Sequence, residues 1–160
     1  MLAKNSNEYF MSKAIECAEK GISCGQTPFG ACIVKDDKII GLSHNRVWET
    51  TDITAHAEIV AIRAACKKIK SISLKGTVLY STCEPCPMCF SAAHWAGIEA
   101  IVYGAGIKDA KKAGFNELSI SNSKMKRLGT SRIKLTKSIL LKQNIELFEL
   151  WAFSLKNKAY

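Results

Sequence analysis

Between Asn7 and Ser23 the residues Phe10, Ala14, Cys17 and Ala18 recur at helical spacing, with Lys13, Glu16, Glu19 and Lys20 opposite them. That pattern predicts an amphipathic helix. Gly21 and Gly25 supply stop signals, and Thr27-Pro28-Phe29-Gly30 reads as a loop. The apolar run Ala31 to Lys35, the turn pair Asp36-Asp37 and the stretch Lys38 to Val47 predict a β-hairpin. Trp48 to Ile53 is polar and irregular. Thr54 is placed to cap a helix over Ala55 to Ile69, with Ile59, Ile62, Cys66 and Ile69 on its buried stripe. Gly76 to Ser81 is almost wholly apolar, as in a strand covered on both faces. Pro87 opens a helix that ends near Gly97. Ala100 to Tyr103 is a second buried strand, and Asp109 to Ala113 a short helix. Ser119 to Gly129 reads as a polar loop, Arg132 to Thr136 as a weakly alternating strand, and Asn144 to Lys156 as a closing helix.

Helices alternating with buried strands define an α/β protein, a three-layer α/β/α sandwich around a central mixed five-stranded sheet. The first two strands pair antiparallel and the later ones run parallel through helical crossovers. A length of 160 residues suits one domain, residues 1–160. No apolar run reaches the roughly 18 residues that span a bilayer, and Met1 to Phe10 has no apolar core of a secretory signal. The expectation is a cytoplasmic chain with no membrane association.

Composition changes this picture in two places. Seven cysteines, an odd number in a chain with no export signal, argue against a disulfide framework. Cys17 and Cys66 on helices and Cys32 on a strand read as small buried hydrophobes. The net charge of +9 is uneven: Lys108 to Lys142 carries ten Lys or Arg against Asp109 and Glu117. Such a belt is either a solvated lysine-rich face or a patch that attracts nucleic acid or anionic substrates.

The chemistry concentrates in Pro85-Cys86-Pro87-Met88-Cys89 and His56-Ala57-Glu58. With Pro87 at the first helical position, Cys86 is the N-cap and Cys89 the third helical residue, so both sulfurs lie over one helix end. The positive pole of the helix dipole favours thiolate there. His56 lies at the start of its own helix. If the two helix starts face each other, His56, Cys86 and Cys89 supply three tetrahedral ligands for Zn²⁺ and leave a fourth position open, as catalytic zinc sites do. Water on such a metal titrates near pH ~7. Glu58 then stands where a carboxylate can carry a proton to a departing amine, which hydrolytic deamination requires. A redox pair or a structural zinc knuckle accounts for the cysteines alone, but not for His56 and Glu58. His44 and His94 have no cysteines at ligand spacing and read as structural, or as supports standing behind the site's own residues.

With these residues the sequence resembles the zinc-dependent cytidine/deoxycytidylate-type deaminase superfamily, whose H-x-E…P-C-x-x-C signature it carries. Within that superfamily it is most similar to bacterial guanine deaminases. The likeness runs through Thr27 to Ala31, Asn45, Thr54 to Glu58, Cys83 to Cys89, Trp95, Ala113-Gly114-Phe115 and the tail Trp151 to Tyr160. It implies a cytidine deaminase-like fold and one zinc ion per subunit. It also implies a small purine base as substrate, most simply guanine, converted to xanthine and ammonia. Asn45 would bond the purine's polar edge, the Ala57 backbone N–H a ring substituent, and Phe29 and Trp95 would wall the base. Glu117 would assist proton transfer at the amino group, although some relatives appear with Asp at this point. Tyr160 would close the active site, in a homodimer that exchanges its C-terminal helix and tail, residues 144–160. Two other readings stay open: a tRNA-specific adenosine deaminase using the basic belt, and a catalytically silent zinc-stabilised subunit, against which Glu58 speaks.

Overall fold

The computed structural model describes residue 3, residues 6–154 and residues 158–160. In chain order the elements are α1 (Asn7–Ser23), β1 (Gly30–Lys35), β2 (Lys38–His44), α2 (Val47–Thr50), α3 (Ala57–Ile69) and β3 (Thr77–Cys83). Then follow α4 (Pro87–Ala96), β4 (Ala100–Ala105), α5 (Ile107–Lys112), α6 (Asn122–Leu128), β5 (Lys134–Thr136) and α7 (Leu141–Ala152). The five strands form one sheet in the order β2-β1-β3-β4-β5, with β1 antiparallel to both β2 and β3, and β3, β4 and β5 parallel. The α/β fold with a mixed sheet is therefore the one the sequence predicts.

Period-two alternation divides the central strands between two cores. Cys32, Val34, Tyr80 and Val102 face α1 and α7, where Phe10, Met11, Ala14, Leu147, Phe148 and Trp151 complete one cluster. Ala31, Ile33, Leu79, Ile101 and Tyr103 face α3 and α4, where Ala57, Ala61, Ala65, Phe90 and Ala93 complete the other. The hairpin turn at Asp36-Asp37 has positive φ at both residues (47° and 57°), the geometry that follows the twist of the strands it joins. Close approach is built in with glycine. A Cβ on Gly30 would lie 2.1 Å from the Ala14 carbonyl oxygen, and one on Gly41 would lie 2.4 Å from that of Ala61.

Several expected elements shift. The second strand stops at His44, and Val47 starts the short α2 instead of ending the strand. Thr54 does not cap α3. It is tied back to Asp52 Oδ1 through its own N–H and hydroxyl, and His56 becomes the N-cap. The buried stripe of α3 is Ala57, Glu58, Ala61 and Ala65, while Ile62, Cys66 and Ile69 pack at its margin. The physical reason is that helix and sheet meet across Gly41, a separation that admits alanine better than isoleucine. The segment expected as a polar loop contains α6, capped by Ser121, whose hydroxyl accepts from Lys124 N. The closing helix starts at Leu141, earlier than expected, and runs to Ala152; its expected end at Lys156 lies outside the described residues. Among the described residues, no helix is long and apolar enough to cross a membrane.

Candidate active site and metal centre

The site lies beyond the carboxyl ends of the neighbouring parallel strands β3 and β4, the usual position for ligands in open α/β sheets. From β3 the chain passes through Glu84-Pro85 into α4, whose N-cap is Cys86 in extended conformation with Pro87 next. His56 caps α3 in the same extended conformation. The His56 side chain makes no cap bond to α3, and the Cys86 sulfur turns toward Cys89 of its own helix, so the imidazole and both sulfurs point at a common centre.

His56 Nδ1 lies 3.6 Å from Cys86 Sγ and 3.6 Å from Cys89 Sγ, and all three ligand atoms fall within 4.8 Å of one another. A tetrahedral ion with Zn–S of about 2.3 Å and Zn–N of about 2.0–2.1 Å sets an N···S edge of about 3.6 Å. The donor set and its spacing thus fit zinc. Among the described residues no other group of three such side chains converges in this way.

The electrostatics fit as well. The Cys86 thiol is driven down to about 4, first by its hydrogen bond with Cys89 and then by that with His56, against the effect of burial. Burial holds Cys89 well above the ordinary thiol value. Burial also opposes charge on His56, but the bond to Cys86 and the charges of Glu58 and Cys86 raise its pKa overall. Burial penalises charge on the thiols and carboxylates gathered here, a penalty that a bound cation would offset.

Around this centre stand the other residues expected from the sequence, Trp95 excepted. Glu58 is buried, accepts a hydrogen bond from Ser81 Oγ at 3.1 Å, and has its pKa raised by burial. Asn45 is fully buried. Its Oδ1 accepts from Val47 N at 3.0 Å and its Nδ2 donates to the Tyr160 hydroxyl at 2.6 Å. Ala57 is the first residue of α3, so its N–H has no acceptor within the helix. Phe29 meets Phe115 and Phe148 edge-on, its loop fixed by a bond from Gly30 N to Thr82 Oγ1 at 3.0 Å. Glu117 faces the cavity with its pKa raised to about 7, by burial first and by the Cys86 thiolate second. The Tyr160 ring packs against His56, Phe115 and Trp48, and the Trp48 indole N–H donates to the Lys158 carbonyl at 2.9 Å.

Phe29, Asn45, His56, Glu58, Cys83, Glu84, Cys86 and Glu117 line a cavity of about 10 Å³, close to the room one water needs. Beside it, Tyr160 and Glu117 also border a groove of about 240 Å³ with Ile53, Met88 and Leu118. Trp95 is not brought to this cavity. It is 87% exposed near the far end of α4, about two turns of helix from Cys89, so within one chain it does not wall a base. Sequence reasoning missed Ser81, Glu84 and Trp48. Each is unremarkable in its local pattern, and only the fold gives it a partner in the site.

A mixed sheet with a His-Cys-Cys cage at two helix starts and a buried carboxylate beside it defines a zinc-dependent hydrolytic deaminase. Residues 4–105 match the cytidine and deoxycytidylate deaminase zinc-binding region, and the chain belongs to that family. It is 37% identical over 156 residues to the guanine deaminase of Bacillus subtilis, covering 97% of this chain and 99% of that one. It is also 37% identical over 139 residues to the tRNA-specific adenosine deaminase of Buchnera aphidicola subsp. Schizaphis graminum, covering 87% and 89%. A crystal structure of a mutant protein in complex with 8-azaguanine superposes with a TM-score of 0.86 at 27% identity, over 94% of this chain and 86% of that one.

Proposed function

We propose that the protein hydrolyses guanine to xanthine and ammonia. The observation that carries this reading is the roof over the cage, where the Asn45 amide and the Tyr160 phenol meet at 2.6 Å. A free base can be enveloped beneath such a roof if Tyr160 swings aside to admit it and then closes back over it. A base still tied to a sugar-phosphate strand keeps the roof open. The likeness to the guanine deaminase extends over nearly the whole chain.

His56, Cys86 and Cys89 would hold the ion. When bound there, zinc supplies a Lewis acid that brings the pKa of water to about 7. The residues of the chain then divide the remaining work. Asn45 and the Ala57 N–H orient the purine edge, and Phe29 packs against its face. Glu58 takes a proton from the water that attacks carbon 2 and passes it to a ring nitrogen. As the bond from carbon 2 to the exocyclic nitrogen breaks, a further proton reaches that nitrogen and ammonia leaves. The new hydroxyl on carbon 2 gives up its own proton to the carboxylates of the site and becomes the carbonyl of xanthine. Glu117, whose pKa burial raises to about 7, would donate the proton that the departing nitrogen receives. The burial of Phe29, Phe115 and Tyr160 around the centre excludes bulk water and strengthens each of these contacts.

In this reading residues 1–160 act as one cytoplasmic domain and the enzyme is a homodimer. Trp95 reaches a base only if a second copy brings it there, and the tail carrying Tyr160 closes a site in its own or its partner's subunit. Mixing a Glu58→Gln chain with a Tyr160→Ala chain tests the exchange: recovered activity requires that one chain complete the other.

The second reading, adenosine deamination in tRNA, is favoured by the Buchnera relative and by the basic belt from Lys108 to Lys142. Ammonia release from guanine, guanosine, adenine, cytosine, cytidine and tRNA, measured side by side, separates the two. Turnover of guanine with none of tRNA supports the proposal; salt-sensitive inosine formation in tRNA with no release from guanine overturns it.

A further inference from the structure

Two residues that belong to no part of the cage hold one of its corners. Glu84 and Pro85 form the link between the end of β3 and Cys86. The Glu84 N–H donates to the Ala105 carbonyl at the end of β4, at 2.8 Å. Its carboxylate accepts from Asn122 N at 2.8 Å on one oxygen and from Ile107 N at 3.4 Å on the other. Asn122, fully buried at the start of α6, returns the contact: its Nδ2 donates to the Pro85 carbonyl at 2.5 Å. The link is therefore held from both sides, by a side chain reaching out to α6 and by a side chain of α6 reaching back.

We infer that Asn122, with Glu84, positions Cys86 as a metal ligand. The Pro85 carbonyl belongs to the peptide that enters Cys86, so fixing it fixes the torsions that aim the Cys86 sulfur. Proline has no N–H to donate, so past the Glu84 N–H the link is held by the Pro85 carbonyl and the Glu84 side chain. The arrangement also explains α6. Its sequence Asn122 to Leu128 has no apolar stripe, and its one fully buried residue is the asparagine that reaches the link. Burying an amide with Oδ1 unpaired is costly, and the cost is met where geometry matters most. Both residues act through Cys86 and are positioning residues. The inference rests on the zinc cage and not on which base is deaminated.

The test is the rate at which zinc leaves the full-length protein for an excess of a chromogenic chelator, with no substrate present. Asn122→Ala and Glu84→Ala are each expected to release zinc about 10- to 100-fold faster than the unaltered protein. Glu84→Gln keeps an acceptor for Asn122 N and is expected within about threefold of it. The double variant Glu84→Ala/Asn122→Ala is expected to lose little more than either single one, because both act on one peptide. In the cobalt-substituted protein, the thiolate-to-cobalt absorption should shift for Asn122→Ala. It should not shift for Leu147→Ala, a core change of the opposite layer that lowers stability without touching the link. If Asn122→Ala fails to fold, the Glu84→Ala and Glu84→Gln pair still decides. Zinc release from Glu84→Ala no faster than from Glu84→Gln overturns the inference, as does a Leu147→Ala release rate that matches Asn122→Ala. None of these outcomes depends on guanine being the substrate.

Discussion

Replacing Glu58 with glutamine removes one proton site and leaves nearly everything around it in place. Glutamine has the same length, and its carbonyl oxygen can accept from Ser81 Oγ as Glu58 Oε1 does at 3.1 Å. Glu58 is only 6% exposed, so its carboxylate is held at a desolvation cost that the neutral amide does not carry. The folded state should therefore be at least as stable in the variant. The loss falls on the barrier. General acid–base catalysis contributes about 10²- to 10⁴-fold in rate. In the proposed cycle the same carboxylate both takes and gives a proton, which points to the upper half of that range. The expected fall in kcat is thus about a thousandfold or more, or roughly 4 kcal/mol of barrier. Ammonia release under saturating guanine measures it, with zinc content and thermal midpoint recorded on the same preparation. A variant with full zinc and kcat within about tenfold of the parent refutes the proton-carrier role. A variant that has lost its zinc points instead to a role in holding the cage.

Glu117→Gln tests the raised carboxyl by its pH signature. Its pKa near 7 in the folded chain lies above the ordinary 4.5, so the stability it contributes is full in acid and is lost as pH rises through 7. Urea unfolding at pH 5 and pH 8 should show the unaltered protein losing on the order of 2 kcal/mol that the glutamine variant does not; equal losses argue against the shift. Tyr160→Phe deletes the hydroxyl that accepts from Asn45 and keeps the ring, whereas Tyr160→Ala removes both. KM for guanine is expected to rise in the alanine variant with little change in thermal midpoint, and unchanged kinetics in both would remove the roof from the mechanism. Gly30→Ala should cost at least about 3 kcal/mol in urea unfolding, because its Cβ would lie 2.1 Å from the Ala14 carbonyl oxygen and α1 would have to move.

The cage was legible in the sequence because its geometry is local. A proline at the first helical position determines where Cys86 and Cys89 sit on α4, and His56 at a helix start needs nothing more than the sheet to face them. The layers were legible because β1, β3 and β4 are apolar on both faces. The stripe of α3 was not, since which residues go inside was decided by Gly41 on another strand admitting Ala61 and Ala65 at short range. Helix α6 was hidden by a polar sequence whose burial depends on Asn122 finding Pro85, 37 residues earlier. Trp95 was placed at the site by resemblance, and its position on α4 turns it outward within one chain.

The division of the cage between two helix starts has a consequence for how the protein is made. His56 and Cys86 lie 30 positions apart, and β3 settles between β1 and β4 only when residues 100–105 are available. On a growing chain, the two cysteines emerge before the strand that sets their helix in register. The ligand set is therefore brought together by closure of the sheet and not by translation of the ligands alone.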